Sequence, residues 1–260
     1  VNYGRVKQGV FLERPNRFVA RVEIQGTVET VHVKNTGRCG ELLLPGTAVY
    51  LEDHRDAMGS RKTRYDLIAV EKKIPAEPGK KEKTLLINMD SQAPNKVVAE
   101  ALRSGRILLP DFPGEIGLLK PESVFGGSRF DFYLESQVAE GQVPSGKAYI
   151  EVKGVTLEED GVARFPDAPT ERGVKHIGEL CRVKEQGMEA YLIFVVQMQS
   201  VTRVEPNDRT HRAFGDALRR AAEAGVHVLA CDCIVEPDSL TVDQRIPVQL
   251  FAHGSDEGKR

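Results

Sequence analysis

The sequence predicts a two-domain protein, a small closed all-β barrel followed by an α/β domain built on a mixed sheet. Three observations predict it. Residues 1–88 are filled by short strand-like runs separated by Gly and Pro turns, with no helical period. From residue 89 onward helical periods alternate with apolar strand-like runs, the pattern of a layered α/β fold. Two of those later runs carry charge where a buried strand has none: Asp131 between Phe130 and Phe132, and Glu151 with Lys153 among Ile150, Val152 and Val155.

In the first part, strands are predicted at residues 19–24, 28–33, 47–51, 65–70 and 84–87, with Gly26 and Pro45-Gly46 supplying turns. Short strands joined this tightly suit closure, because a barrel leaves no free edge, and the oligonucleotide-binding (OB) barrel is the natural form. Residues 72–83 read as a charged hairpin or linker. The second part, residues 89–252, opens with a helix over 94–104, which has Pro94 in its first turn and Val97, Val98, Ala101 and Leu102 on its apolar face. Residues 108–128 are rich in Pro and Gly and read as loop. Strands follow at 129–134 and 147–155, joined by a polar hairpin near 140–144, with a weaker strand arm at 162–165. A helix over 171–186 starts behind Pro169-Thr170, and residues 190–197 are apolar throughout, as in a central strand covered on both faces. A helix over 211–224 and strands at 226–231 and 246–250 complete the sheet, and residues 253–260 read as a flexible tail.

Composition sets outer limits. The chain has 260 residues, 40% of them hydrophobic and 28% charged, a profile well away from disordered chains. Its net charge of −2 hides an asymmetry: residues 1–85 hold 16 Lys and Arg against 11 Asp and Glu, the remainder 20 against 27. A mildly basic first part suits nucleic acid, while the acidic remainder argues against binding polyanions over the whole surface. The four cysteines include no two-residue CxxC gap, which removes the usual redox and zinc-knuckle motifs, and Cys231 and Cys233 read as buried thiols. No signal-like or membrane-length apolar run is present, so a cytoplasmic location is expected. Oligomeric state stays open, a homodimer included.

Chemistry concentrates at Asp131, Glu151 and Lys153. Residues two apart on a strand share a face, so Glu151 and Lys153 project together, and Asp131 on a neighbouring strand completes an acid–acid–lysine cluster. Two carboxylates and water suit a hard divalent cation, Mg²⁺ or Mn²⁺, and the lysine can stabilise charge developing on a phosphoryl group. The plainer alternative is a solvated Glu–Lys pair. In the barrel, Arg14, Arg17, Arg38, Arg61, Lys62 and Arg64 are candidate phosphate contacts, the last three in one loop ahead of a strand. Thr170 is a plausible N-cap, leaving Arg172, His176 and Glu179 on one helical face and Val174, Ile177 and Cys181 on the other. Arg172 and His176 then sit where a helix start can meet a phosphate.

The cluster resembles the PD-(D/E)xK nuclease superfamily, whose motif is an acid, a spacer, then acid-x-lysine: here Asp131, nineteen residues, and Glu151-Val152-Lys153. That resemblance implies a glutamate on the helix that opens the core. Glu100 is the best match, with Glu115 and Glu122 as rivals. Over a longer stretch the chain resembles the SfsA family, named for sugar fermentation stimulation. The resemblance rests on Arg14-Pro-Asn-Arg-Phe18, Asn35-Thr-Gly-Arg38, Glu41 to Gly46, Ser128 to Phe132, Tyr149 to Thr156 and Phe165 to His176. It spans essentially the whole chain, departing at the charged hairpin near 75–83 and in the tail after Leu250. It implies an OB barrel joined to a PD-(D/E)xK-like domain, DNA binding, a regulatory link to sugar use, and a place for Arg172 and His176 near the site. It leaves open whether the protein is an enzyme.

Overall fold

Six strands come first: β1 (Val6–Asn16), β2 (Val19–Ile24), β3 (Thr27–Val33), β4 (Ala48–Asp53), β5 (Tyr65–Ile74) and β6 (Lys83–Asn88). They bond in the order β3-β2-β1-β4-β5-β6, and β3 also pairs in parallel with β5. Strands β1 to β5 therefore close into an OB-like ring, and β6 extends it from β5. The computed structural model describes residues 1–35, 37–74, 83–137 and 146–251. The hairpin read near 140–144, most of the one read over 72–83, and the tail at 253–260 lie outside those residues.

Strand β1 is absent from the sequence prediction, and its irregularity explains why. It buries only Gly9 and Phe11, and its register against β2 shifts twice. Gly9 is required by packing, since a Cβ there would lie 2.5 Å from Val22 Cγ1 and 2.9 Å from the Glu23 carbonyl oxygen.

The remainder contains α1 (Ala93–Arg103), β7 (Ile116–Phe125), β8 (Ser128–Ser136), β9 (Lys147–Val155), β10 (Leu157–Glu159), β11 (Val162–Phe165), α2 (Glu171–Glu185), β12 (Glu189–Val196), β13 (Arg203–Pro206), α3 (Asp208–Glu223), β14 (His227–Glu236) and β15 (Ser239–Arg245). A six-stranded mixed sheet runs β15-β14-β12-β9-β8-β7, with β12 parallel to both neighbours, and β10, β11 and β13 form a small second sheet. Along β12 the side chains alternate as a doubly covered strand requires. Tyr191, Ile193 and Val195 pack with Val97, Val98 and Leu102 of α1. Leu192, Phe194 and Val196 pack with Ile177, Leu180 and Val183 of α2 and Phe214 and Leu218 of α3. This second cluster continues into the barrel core through Val70, Ile87 and Met89.

Two predicted elements need correction. Residues 116–125, read as loop, form β7; Pro121 is tolerated there because β7 is the edge of its sheet. The last strand is β15, not 246–250, where Val248 makes only an isolated bridge to Val204. No helix among the described residues is long and apolar enough to cross a membrane.

Candidate functional site

The β8–β9 pairing places Asp131 beside Glu151. Its last registered pair is Phe132 with Ile150, and beyond it the Asp131 carboxylate substitutes for main chain: Oδ2 accepts the Val152 backbone N–H at 2.7 Å. The alternation of β8 breaks at this residue. Phe132 packs on the α1 side, whereas Phe130 lies against Tyr149 and His176 on the α2 side. The other oxygen, Oδ1, accepts from Asn95 Nδ2 in the first turn of α1 at 2.7 Å. Burial and the neighbouring Glu151 charge push the Asp131 carboxyl above its ordinary range, against the pull of these two donors and of Lys153.

Glu151 is 3% exposed. Its Oε1 accepts from Lys153 Nζ at 2.5 Å and faces His176 Nδ1 at 2.6 Å. Burial raises its carboxyl, but the His176 bond and the Lys153 charge outweigh burial, so it is held below the usual range and ionised. Arg172 Nε donates to His176 Nε2 at 3.4 Å, which fits the tautomer with its proton on Nδ1, donated to Glu151. Glu151 Oε2 is buried with no hydrogen-bond partner among the described residues.

Helix α2 brings His176 to this carboxylate. Thr170 caps it, Oγ1 accepting from the Gly173 N–H at 3.1 Å, a bond of a kind worth about 1 kcal/mol. Its buried face differs from the predicted one: His176 and Glu179 are buried together with Gly173, Ile177, Leu180 and Val183. The reason is electrostatic. Glu151 gives the imidazole a partner on the sheet, so the histidine need not face water.

The structure thus brings together Asp131, Glu151, Lys153 and His176, with Arg172 exposed at the rim. It does not bring Glu100, whose carboxylate is exposed and paired with the Val1 amino group at 2.7 Å, beside β15 on the far side of the sheet. Glu115 is exposed, and Glu122 is exposed and paired with Arg129. Asn95 is what α1 contributes, and nothing in the sequence distinguished it from an ordinary residue of a helical first turn. Gln197 was also unforeseen: its buried amide joins Asn88 Oδ1 at 2.9 Å and the Asp90 carbonyl at 3.1 Å.

Half of the six candidate barrel cations are engaged internally. Arg14 donates to the carbonyls of Arg17, Asn35, Gly37 and Arg38 at 2.7–2.9 Å and so pins the loop after β3. Arg64 grips Asp53 with two bonds of 2.8 Å, and Arg61 pairs with buried Asp66. Arg17 stacks over the exposed ring of Phe18, while Arg38 and Lys62 face solvent. Between the barrel and the α/β half lies a cleft of about 300 Å³, lined by Asn35 and Gly37 on one side and by Gly154, Asp167, Thr170 and Gln197 on the other. Gly154, which lines it, follows Lys153 in β9, and Thr36 lies outside the described residues.

Comparisons with known proteins fit this layout. The family model described as the sugar fermentation stimulation protein RE domain matches residues 92–239, and the SfsA N-terminal OB domain matches 12–77. A sugar fermentation stimulation protein homolog from Ruminiclostridium cellulolyticum is 49% identical over 96% of this chain and 100% of its own length. The chain belongs to the SfsA family. A second family member, from Desulfitobacterium hafniense strain Y51, is 50% identical over 96% of this chain and 99% of its own. Among solved structures, that of Pyrococcus furiosus SfsA in complex with Ca²⁺ superposes with a TM-score of 0.78 at 26% identity, covering 96% of this SfsA chain and 98% of that one.

Proposed function

We propose that this SfsA family member binds DNA at the cleft between its two halves and holds a divalent cation, Mg²⁺ or Mn²⁺, at Asp131 and Glu151. The observation that carries the reading is Glu151 Oε2, a buried carboxylate oxygen without a donor among the described residues, next to the half-buried carboxylate of Asp131. An ionised oxygen left so is unfavourable by several kcal/mol unless a cation meets it, and an all-oxygen donor set suits a hard one. The solved relative bound to Ca²⁺ supports the same preference.

Phosphodiester hydrolysis is the second reading, favoured by the convergence of Lys153 and His176 on one oxygen of Glu151. A bound cation would polarise the phosphodiester and acidify a water. Lys153, only partly buried, offers its ammonium to the charge that grows on the phosphoryl oxygens. Arg172, in the first turn of a capped helix, can hold a neighbouring phosphate while His176 keeps Glu151 oriented.

The test is a calorimetric Mn²⁺ titration of the full chain alongside incubation with single- and double-stranded DNA and RNA, with and without Mn²⁺. Asp131→Ala and Glu151→Gln should each weaken Mn²⁺ binding at this centre at least tenfold, and identical isotherms in wild type and variants would sink the site. Cleavage abolished by Lys153→Ala supports the enzyme; DNA binding without cleavage under every metal leaves a binding protein.

A further inference from the structure

A second, independent group of metal-ligating side chains sits in the barrel. Three neighbouring strands assemble it: Glu52 of β4 pairs directly across with Asp66 of β5, and His32 of β3 pairs with Asp66 from the other side. His54 lies two residues beyond Glu52. We propose that Glu52, His54 and Asp66 bind a borderline divalent cation of the first transition row, Zn²⁺ or Co²⁺, apart from any cation at Asp131 and Glu151.

Geometry favours a metal over a hydrogen-bonded trio. His54 Nε2 stands 3.2 Å from Asp66 Oδ2 and 3.4 Å from Glu52 Oε2, and the three ligand atoms lie within 4.8 Å of one another. One imidazole proton cannot serve two carboxylates, and both distances are long for charge-assisted bonds. They match the edge of a tetrahedron with metal–ligand bonds of about 2.0–2.1 Å, which is about 3.3 Å. Each carboxylate also has its outer oxygen held by other donors. Gly4 N–H donates to Glu52 Oε1 at 2.9 Å, and Asp66 Oδ1 meets His32 Nδ1 at 3.3 Å and the guanidinium of Arg61. Glu52 Oε2 and Asp66 Oδ2 are thereby left facing the same imidazole nitrogen, the arrangement in which surrounding donors orient metal ligands.

Like charges placed directly opposite on paired strands are destabilising, and Glu52 and Asp66 are such a pair. Arg61 balances one of them; a divalent cation balances the other. One nitrogen and two carboxylate oxygens suit the borderline metals better than Ca²⁺ or Mg²⁺. Glu52 and His54 are partly exposed, with side chains at 17% and 19%, so a cation can enter from solvent and keep water as a fourth ligand.

The test uses the full chain carrying Asp131→Ala, freed of metal with a chelator, then titrated with Co²⁺ while visible absorption is read. One equivalent should bind with the intense bands of four- or five-coordinate Co²⁺, and Zn²⁺ should displace it. His54→Ala, and separately Glu52→Gln, should weaken binding at least tenfold and bleach the bands, with far-UV circular dichroism unchanged. The same titration without Asp131→Ala covers a misfolding background: there His54→Ala should remove one equivalent of those the unsubstituted chain binds, whatever their number. Absence of Co²⁺ binding in the parent chain, or unchanged spectra and affinity in both variants, would overturn the site.

Discussion

Asn95 acts on the site through Asp131 alone. Its amide supplies one of the two donors that hold the Asp131 carboxylate, in surroundings where burial and Glu151 both favour protonation. Removing an oriented donor behind a metal ligand typically lowers affinity 10–100-fold. Asn95→Ala should therefore weaken Mn²⁺ binding at Asp131 and Glu151 by about tenfold, which calorimetry on the variant checks. Asp131, Glu151 and Lys153 were legible in the sequence because a period of two needs only neighbouring residues. Asn95 was not, since its partner is thirty-six positions away and its residue type is common in helical first turns. The same limit explains Arg61 and Arg64. Their positive charge is plain in the sequence, whereas their engagement by Asp66 and Asp53 depends on strand register and a loop's return.

At the level of elements, the contact between α1 and β9 depends on Gly154. A Cβ there would stand 2.5 Å from Gln197 Oε1 and 2.8 Å from Pro94 Cγ. Neither neighbour yields readily, the proline because its ring is locked in the first turn of α1, the glutamine because its amide is tied to Asn88 and Asp90. Gly154→Ala should lower stability by about 1–3 kcal/mol through overpacking. Because the residue pushed is next to Asn95, it should also weaken Mn²⁺ binding, which a purely local packing defect would not do. Gly178, exposed on α2 with open space where a Cβ would stand, is the control: Gly178→Ala should stabilise by about 0.5–1 kcal/mol and leave metal binding alone. Thermal melts with and without Mn²⁺ read both effects. The helices α1 and α2 and the strands β8, β9 and β12 were legible because each holds enough apolar residues, in a helical period or a strand-forming run, to mark its type even where a face departs from the pattern. Strands β1 and β7 were not, the first because two register shifts erase its alternation and the second because an edge strand can carry Pro121 and exposed side chains.

Over the whole molecule, the barrel and the six-stranded mixed sheet share a core. One apolar cluster includes Val70, Ile87 and Met89 from the barrel side and Val155, Val196 and Met198 from the other. Two polar links cross the same boundary: the buried pair Asn88 with Gln197, and the partly buried pair of Lys72 of β5 with Glu158 of β10, whose Oε2 accepts from Nζ at 2.5 Å. Domains joined by a large apolar contact of this kind lose their independence, because neither can open without exposing part of the other's core. The full chain should therefore unfold in a single calorimetric transition, with calorimetric and van't Hoff enthalpies in agreement. Glu158→Ala is the decisive variant. It removes a carboxylate 3% exposed and leaves the Lys72 ammonium with only the Glu158 carbonyl oxygen, a loss of about 3 kcal/mol, or roughly 6–12 °C for a chain of this size. If the halves are one cooperative unit, the whole transition shifts down together. If the barrel folds on its own, the variant instead splits the melt in two, leaving the barrel's transition where it was, and the shared core would then be a docking contact between separately stable parts.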